Sequence, residues 1–397
     1  MTFDVPRLFG APRYRALSEA AVSSAASGSC EPLASAVTGE DEAELAAFAT
    51  STQGVAALLA RASSREALPV PLARFLEEDA ARTAARAARL RATLGEALAA
   101  LRQGGLEVVL LKGAALVQAG LADPGERPMG DLDLLLADPG GLGEATRLLE
   151  RATPFRALLD TPRHRVFVLP GERVALPAAE HPENPLRIEL HRTFRLPVLG
   201  EVYDATADLR LSARTLERDG LQALVPGEAA LVRHLLHHAA EDFGARGLRG
   251  VQAHDFRLLS RRLGPLSPAL PAGDLRAAGP LLFAADAVQR LFPGSFAPAF
   301  VDALARGVDP SHRARAAALA PLRSTRPARG FTREALALAA RGLPRGRFLL
   351  RQLFPSPGEV QVNVTDGAGG LRLAAAYAAL LARRAAGALR APRRPAP

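Results

Sequence analysis

The period of the apolar positions divides the chain into three stretches. Up to about Ala100 the period is helical. Asp41 to Ala62 carries a mixed amphipathic pattern, and Pro71 to Gly104 reads as one long helix stopped by Gly104-Gly105. Glu107 to Leu111 then switches to a strand run, and Lys112-Gly113 turns into a short helix over Ala114 to Ala119. Gly120 to Gly130 is a loop rich in Gly and Pro, followed by the strand pattern Asp131-Leu-Asp-Leu-Leu-Leu136. Gly143 to Arg151 reads as a helix, and Arg165 to Leu169, Arg173 to Leu176 and Leu186 to His191 read as strands. After Pro226-Gly227 the helical period returns and continues to the end, and nothing repeats at a fixed period. The expected organisation is a helical section over 1–104, an α/β core over 105–225, a helical section over 226–382 and a basic disordered tail over 383–397.

The strand pattern at 131–136 brings chemistry into this outline. Side chains alternate across a strand, so Asp131 and Asp133 leave one face while Leu132 and Leu134 enter the other. Two carboxylates roughly 6.5 Å apart repel by about 2–3 kcal/mol at an effective dielectric near 20, unless a cation sits between them. Hard oxygen ligands of this kind select Mg²⁺ or Mn²⁺. The alternative is an acidic strand end facing water, against which Leu134 to Leu136 carry the strand onward into a core. In Leu186-Arg-Ile-Glu189-Leu-His191 a third acid shares a strand face with Arg187 and His191. Beside the first strand, Glu189 would complete a three-carboxylate site suited to two-metal phosphoryl or nucleotidyl transfer.

Composition sharpens one position. Lys112 is the only lysine of a chain that carries 49 arginines. A compact ammonium differs most from a guanidinium fork at crowded phosphate sites, so this residue reads either as a functional cation or as a chance survivor of drift. With 397 residues, two or three structural units are expected. The single cysteine, Cys30, excludes an intramolecular disulfide and a cysteine-based zinc cluster. The start Met1-Thr-Phe-Asp-Val-Pro has no basic-then-apolar leader, and runs such as Leu373 to Ala382 are too short to span a bilayer. A cytoplasmic protein without a membrane partner is therefore expected.

Two further features lie in the C-terminal half. His234, His238 and Asp242 fall on one helical stripe, which reads as a zinc site or, preferably, as a face packed on the sheet with His238 or Asp255 lining an acceptor cleft. The net charge is +9, with arginines concentrated late at positions 313, 315, 323, 326, 329, 345, 347 and 351 and in the tail at 383, 384, 390, 393 and 394. Such a field attracts nucleic acid or simply decorates solvated helices, and the scarcity of interleaved aromatics favours the second reading.

The run Leu111-Lys-Gly-Ala-Ala, the run Arg127-Pro-Met-Gly-Asp-Leu-Asp-Leu-Leu and the short Ile188-Glu-Leu-His191 together resemble a poorly characterised bacterial nucleotidyltransferase family of the DNA polymerase beta-like superfamily. The resemblance extends to the helical approach Leu45 to Leu59, the histidine-bearing helix around Leu231 to Ala240 and the late segment Arg351 to Ser356. It implies an α+β fold, with a small mixed nucleotidyltransferase sheet flanked by N-terminal and C-terminal helical sections. It implies that Asp131, Asp133 and Glu189 bind the metal ions and carry catalysis, and that Gly113 is the glycine of the phosphate turn. The superfamily turn usually has Gly followed by Gly or Ser, whereas Ala114 follows here and the acids come later. Lys112 or Arg127 would replace the missing hydroxyl on the NTP phosphates.

The expected activity is transfer of a nucleoside monophosphate from an NTP, ATP among the candidates, to an unidentified acceptor, with pyrophosphate released and Mg²⁺ or Mn²⁺ required. Glu189 or His191 would take the acceptor proton. A tRNA-directed enzyme and a non-catalytic NTP-binding scaffold are the alternatives.

Overall fold

The computed structural model describes residues 11–39, 42–160, 164–171, 184–198, 201–270 and 278–308, with a few single positions outside these ranges. The expected strand at Arg173 to Leu176, the late arginines from Arg313 onward, the segment Arg351 to Ser356 and the tail 383–397 lie outside the described residues. Where it is described, the chain is a mixed α+β fold in which one sheet is flanked by helices from both ends of the sequence.

The N-terminal section contains α1 (Tyr14–Ser27), α2 (Glu31–Ala36), α3 (Ala43–Gln53), α4 (Ala56–Leu59) and α5 (Val70–Gln103). The amphipathic run expected from Asp41 to Ala62 is thus two helices, because Gly54 between them turns left-handed at φ 68°. The 34-residue α5 has proline at its first turn and ends at Gly104, with Gly105 at φ 71° completing the stop. Its buried face runs Leu72, Phe75, Leu76, Asp79, Thr83, Arg86, Leu90, Leu94, Leu98, Leu101, at helical spacing. Three polar residues interrupt that face in succession, and Arg86 is only 1% exposed.

The core strands are β1 (Val108–Leu110), β2 (Asp131–Leu136), β3 (Arg156–Asp160), β4 (His164–Val168), β5 (Arg187–His191), β8 (Arg214–Arg218) and β9 (Leu221–Val225), with the hairpin β6 (Arg195–Val198) and β7 (Glu201–Asp204) set apart. Between them lie α6 (Lys112–Gln118), α7 (Leu142–Ala152) and α8 (Thr206–Leu211). The seven-stranded sheet has the order β3-β4-β5-β2-β1-β9-β8. The pairings β2·β5 and β1·β9 are parallel, and the others are antiparallel. Apolar runs such as Val108–Leu110 and Leu134–Leu136 occupy the centre, as strands covered on both faces require. The two edge strands β3 and β8 are mostly exposed, which accounts for their weak signal in the sequence.

The β8–β9 hairpin turns on Asp219-Gly220, both with positive φ (48° and 76°), the two-residue turn that Asp-Gly favours. The C-terminal section contains α9 (Glu228–Arg246), α10 (Gly250–Leu263), α11 (Ala278–Leu291) and α12 (Pro298–Arg306), with α9 against β6 and with α11 in contact with the other three. Buried apolar residues from the N-terminal helices, the sheet and these last helices form one continuous core. Among the described residues no helix is long and apolar enough to cross a membrane.

Candidate metal and nucleotide site

The site is built by the register of two neighbouring strands. In the parallel β2·β5 pairing Asp131 faces Arg187, Asp133 faces Glu189, and Leu135 faces His191. Facing positions share a side of the sheet, so residues 56 positions apart in sequence bring three carboxylates to one surface. The third acid that the sequence could place only conditionally therefore stands beside the Asp-x-Asp strand.

Asp133 is the centre of the cluster, 2% exposed. Lys112 Nζ donates to its Oδ1 at 2.8 Å, and His191 Nε2 lies 3.0 Å from the same oxygen. Burial would raise the Asp133 carboxyl, but Lys112 and then His191 outweigh it and hold the group well below the usual carboxylate range. An ionised carboxylate only accepts hydrogen bonds, so His191 Nε2 is the donor. Burial likewise works against the charge on Lys112, and Asp133, Glu189 and Asp131 outweigh it, raising the ammonium above its ordinary value. The single lysine is thus paired with Asp133.

The other two acids behave in the opposite way. Burial, then the charge of Asp133, raises Asp131. Burial, then Asp133 and Asp131, pushes Glu189 up to about 8. A cluster that suppresses the ionisation of two of its own carboxyls is short of positive charge, which is what a divalent ion supplies.

Asp133, Glu189 and His191 each offer an atom within 4.8 Å of the others, and Glu189 Oε2 lies 3.7 Å from His191 Nε2. Because that nitrogen carries the proton given to Asp133, His191 is an orienting group rather than a ligand in this state. With both donors on Oδ1, Asp133 Oδ2 accepts no hydrogen bond among the described residues. That oxygen and Glu189 are the oxygen donors of this group, the ligand type that suits Mg²⁺ or Mn²⁺, and Asp131 shares their face of the sheet.

Local backbone geometry fixes the lysine. Lys112 begins α6 at φ 46°, a left-handed conformation that costs a non-glycine residue about 1–2 kcal/mol. The left-handed position is thus Lys112 and not the adjacent Gly113. Gly113 is small for another reason: a Cβ there would strike the Arg127 guanidinium, lying 2.7 Å from its Cζ, and would sit 3.0 Å from Met129 Cγ.

Arg127 is placed close behind the acids, but its guanidinium is engaged. It donates from Nε and Nη2 to the two oxygens of Asp255, each at 2.7 Å, with side chains 11% and 3% exposed. The two residues singled out separately, one for phosphate and one for acceptor, are each other's partners and tie the loop before β2 to α10.

His238 does not join the carboxylates. Its Nδ1 lies 3.4 Å from Gln252 Nε2 and 3.9 Å from Asp242, and Gln252 donates to Asp242 at 2.6 Å. His234 is fully buried, edge-on to Phe194 at 4.2 Å, and its ring nitrogens make no hydrogen bond among the described residues. Burial, then the neighbouring His238, keeps it neutral. His237 stacks on Tyr203 at 3.3 Å. The expected stripe therefore packs against α10 and the β6–β7 hairpin and gathers no zinc set among the described residues.

A buried arginine without a motif of its own positions the two carboxylate strands. Arg86 of α5 donates to the carbonyls of Met129 (2.7 Å), Gly130 (2.9 Å), Pro185 (3.1 Å) and Asn184. These are the residues that lead into β2 and β5, so one guanidinium fixes both strands at the end where the acids begin. An arginine in line with Leu90 and Leu94 on the buried face of a long helix was the available signal.

No curated protein and no solved structure matches the chain. Residues 39–279 match the family described as uncharacterised nucleotidyltransferase, a stretch that includes the long helix, the carboxylate strands and the α9–α10 helices. As this is more than half of the 397 residues, the chain belongs to that nucleotidyltransferase family.

Proposed function

We propose that the protein is a metal-dependent nucleotidyltransferase of the polymerase-beta-like type, which moves an NMP from an NTP to an acceptor hydroxyl and releases pyrophosphate. The observation that carries this reading is the Asp133–Glu189 register on one sheet face, with Asp131 one step away and Lys112 bonded to Asp133.

Asp131, Asp133 and Glu189 would hold the metal. When bound, it would supply the positive charge that offsets the negative charge growing on the α-phosphate and leaving group. Lys112 and His191 keep Asp133 ionised and oriented by occupying its inner oxygen. In the transfer step the acceptor oxygen bonds to the α-phosphorus while the bond from that phosphorus to the bridging oxygen breaks, and pyrophosphate leaves with the electron pair. The acceptor proton goes to Glu189, whose side chain is 21% exposed, in preference to His191 at 4%. The acceptor is a small molecule, a peptide or a protein.

Calorimetric titration of each NTP with Mn²⁺ or Mg²⁺, on the wild type and on Asp131→Asn/Asp133→Asn, tests the reading. Metal-dependent binding that the double variant loses is the expected result. A wild type that binds no NTP in the presence of metal would leave a scaffold role in its place.

A further inference from the structure

Asp131 and Arg187 face each other directly across the β2·β5 pairing, on the side of the sheet that carries Asp133 and Glu189. Neighbouring strands lie about 4.8 Å apart, so a carboxylate and a guanidinium at facing positions can reach each other easily. They feel each other's charge, and Arg187 also acts on Glu189, yet neither the Asp131 nor the Arg187 side chain makes a hydrogen bond or an ion pair among the described residues. Both are half-buried and open to solvent on the same face.

The two cations expected to meet the phosphates are committed elsewhere. Lys112 bonds Asp133, and both ends of the Arg127 fork are held by Asp255. Arg187 is left with a planar fork and no acceptor among the described residues, and such a fork can take a phosphate through two parallel hydrogen bonds. A facing acid and base, each unpartnered, complement a metal–phosphate group: the carboxylate takes the cation and the guanidinium takes the anion.

We infer that Arg187 binds the β- or γ-phosphate of the metal-chelated nucleotide, in the place where Arg127 was expected. This assignment rests on the nucleotidyltransferase reading and adds to it the residue that distinguishes a triphosphate from a monophosphate. Lys112 then serves Asp133, and Arg187 serves the leaving group.

The test uses the full chain and calorimetry with Mn²⁺ alone, ATP with Mn²⁺, AMP with Mn²⁺, and inorganic tripolyphosphate, on the wild type, Arg187→Gln and Arg187→Lys. Arg187→Gln is expected to retain Mn²⁺ binding, which also reports that it is folded. It should lose about tenfold or more in affinity for ATP and for tripolyphosphate, the effect of a charge-assisted phosphate contact, with AMP changed less than about threefold. Arg187→Lys should recover part of the loss. Equal losses for ATP and AMP, or no loss for either, would overturn the assignment while leaving the nucleotidyltransferase reading intact. A wild type that binds Mn²⁺ but neither ATP nor tripolyphosphate would remove that reading and the assignment with it.

Discussion

The carboxylate face of the sheet and the histidine-bearing helix α9 both hold metal-ligating residue types at regular spacing, and only the first brings them together. On the sheet, register sets residues of two strands side by side, so Asp133 and Glu189 converge without either chain segment bending. On α9 each histidine is claimed by a different neighbour: Phe194 for His234, Tyr203 for His237, Gln252 for His238. Spacing along one element shows which residues share a stripe. Convergence requires a second element, and it leaves charges uncompensated where a ligand is to bind.

Breaking the centre of the sheet cluster should have the largest effect. Asp133→Asn takes away the negative charge that Lys112 and His191 share, and breaking a buried charged pair in this way costs about 3–5 kcal/mol. Urea unfolding should show that loss, and Mn²⁺ affinity should fall at least about 100-fold, beyond what an outer-shell change produces. On the helical side, Arg127→Met should cost about 3 kcal/mol by leaving Asp255 charged and alone. The double variant Arg127→Met/Asp255→Leu should recover most of that stability in the same unfolding measurement, and its Mn²⁺ affinity should stay near wild type.

A pH titration sharpens the contrast further. Glu189 keeps its proton up to about 8, and a metal needs the ionised form. Mn²⁺ affinity should therefore rise by up to about tenfold per pH unit below about 8 and level off above it, and Glu189→Gln should flatten this dependence. In the metal-free protein the sign is opposite. A carboxyl raised on folding contributes stability that is full below its unfolded value and is lost as the pH rises towards about 8, so chemical unfolding without metal should become easier over that window. The smallest effect is expected on α9: His238→Ala should change Mn²⁺ affinity less than about twofold and stability by about 1 kcal/mol, the worth of one partly buried hydrogen bond.

Residues close together in sequence were the most legible. The long helix and its glycine stop, the Asp-x-Asp strand and the strand carrying Glu189 follow from period and punctuation alone. The Asp219-Gly220 hairpin carries a turn signal, and the exposed edge strands carry almost none. The acids that the sheet brings together were legible because two of them stand two residues apart on one strand and the third on another strand pattern. The cations were not, since any of many arginines could have met the phosphates, and only packing shows that Arg127 turns to Asp255 while Arg187 stays open. At Gly113 the sequence shows a turn position, and packing adds that a Cβ there would meet the Arg127 guanidinium.

The Arg86 clamp also bears on the order in which the molecule assembles. Its acceptors lie 43 and 98 residues further along the chain, at Met129 and Asn184, and they come into range only once β2 and β5 are paired. Helix α5 can wind early from local contacts alone, yet its guanidinium stays hydrated until two distant strands have met, because such loop closures come late. The clamp therefore acts as a latch on a finished sheet. Substitution there should speed unfolding and leave the folding rate nearly unchanged, so that the carboxylate site persists for as long as the latch holds.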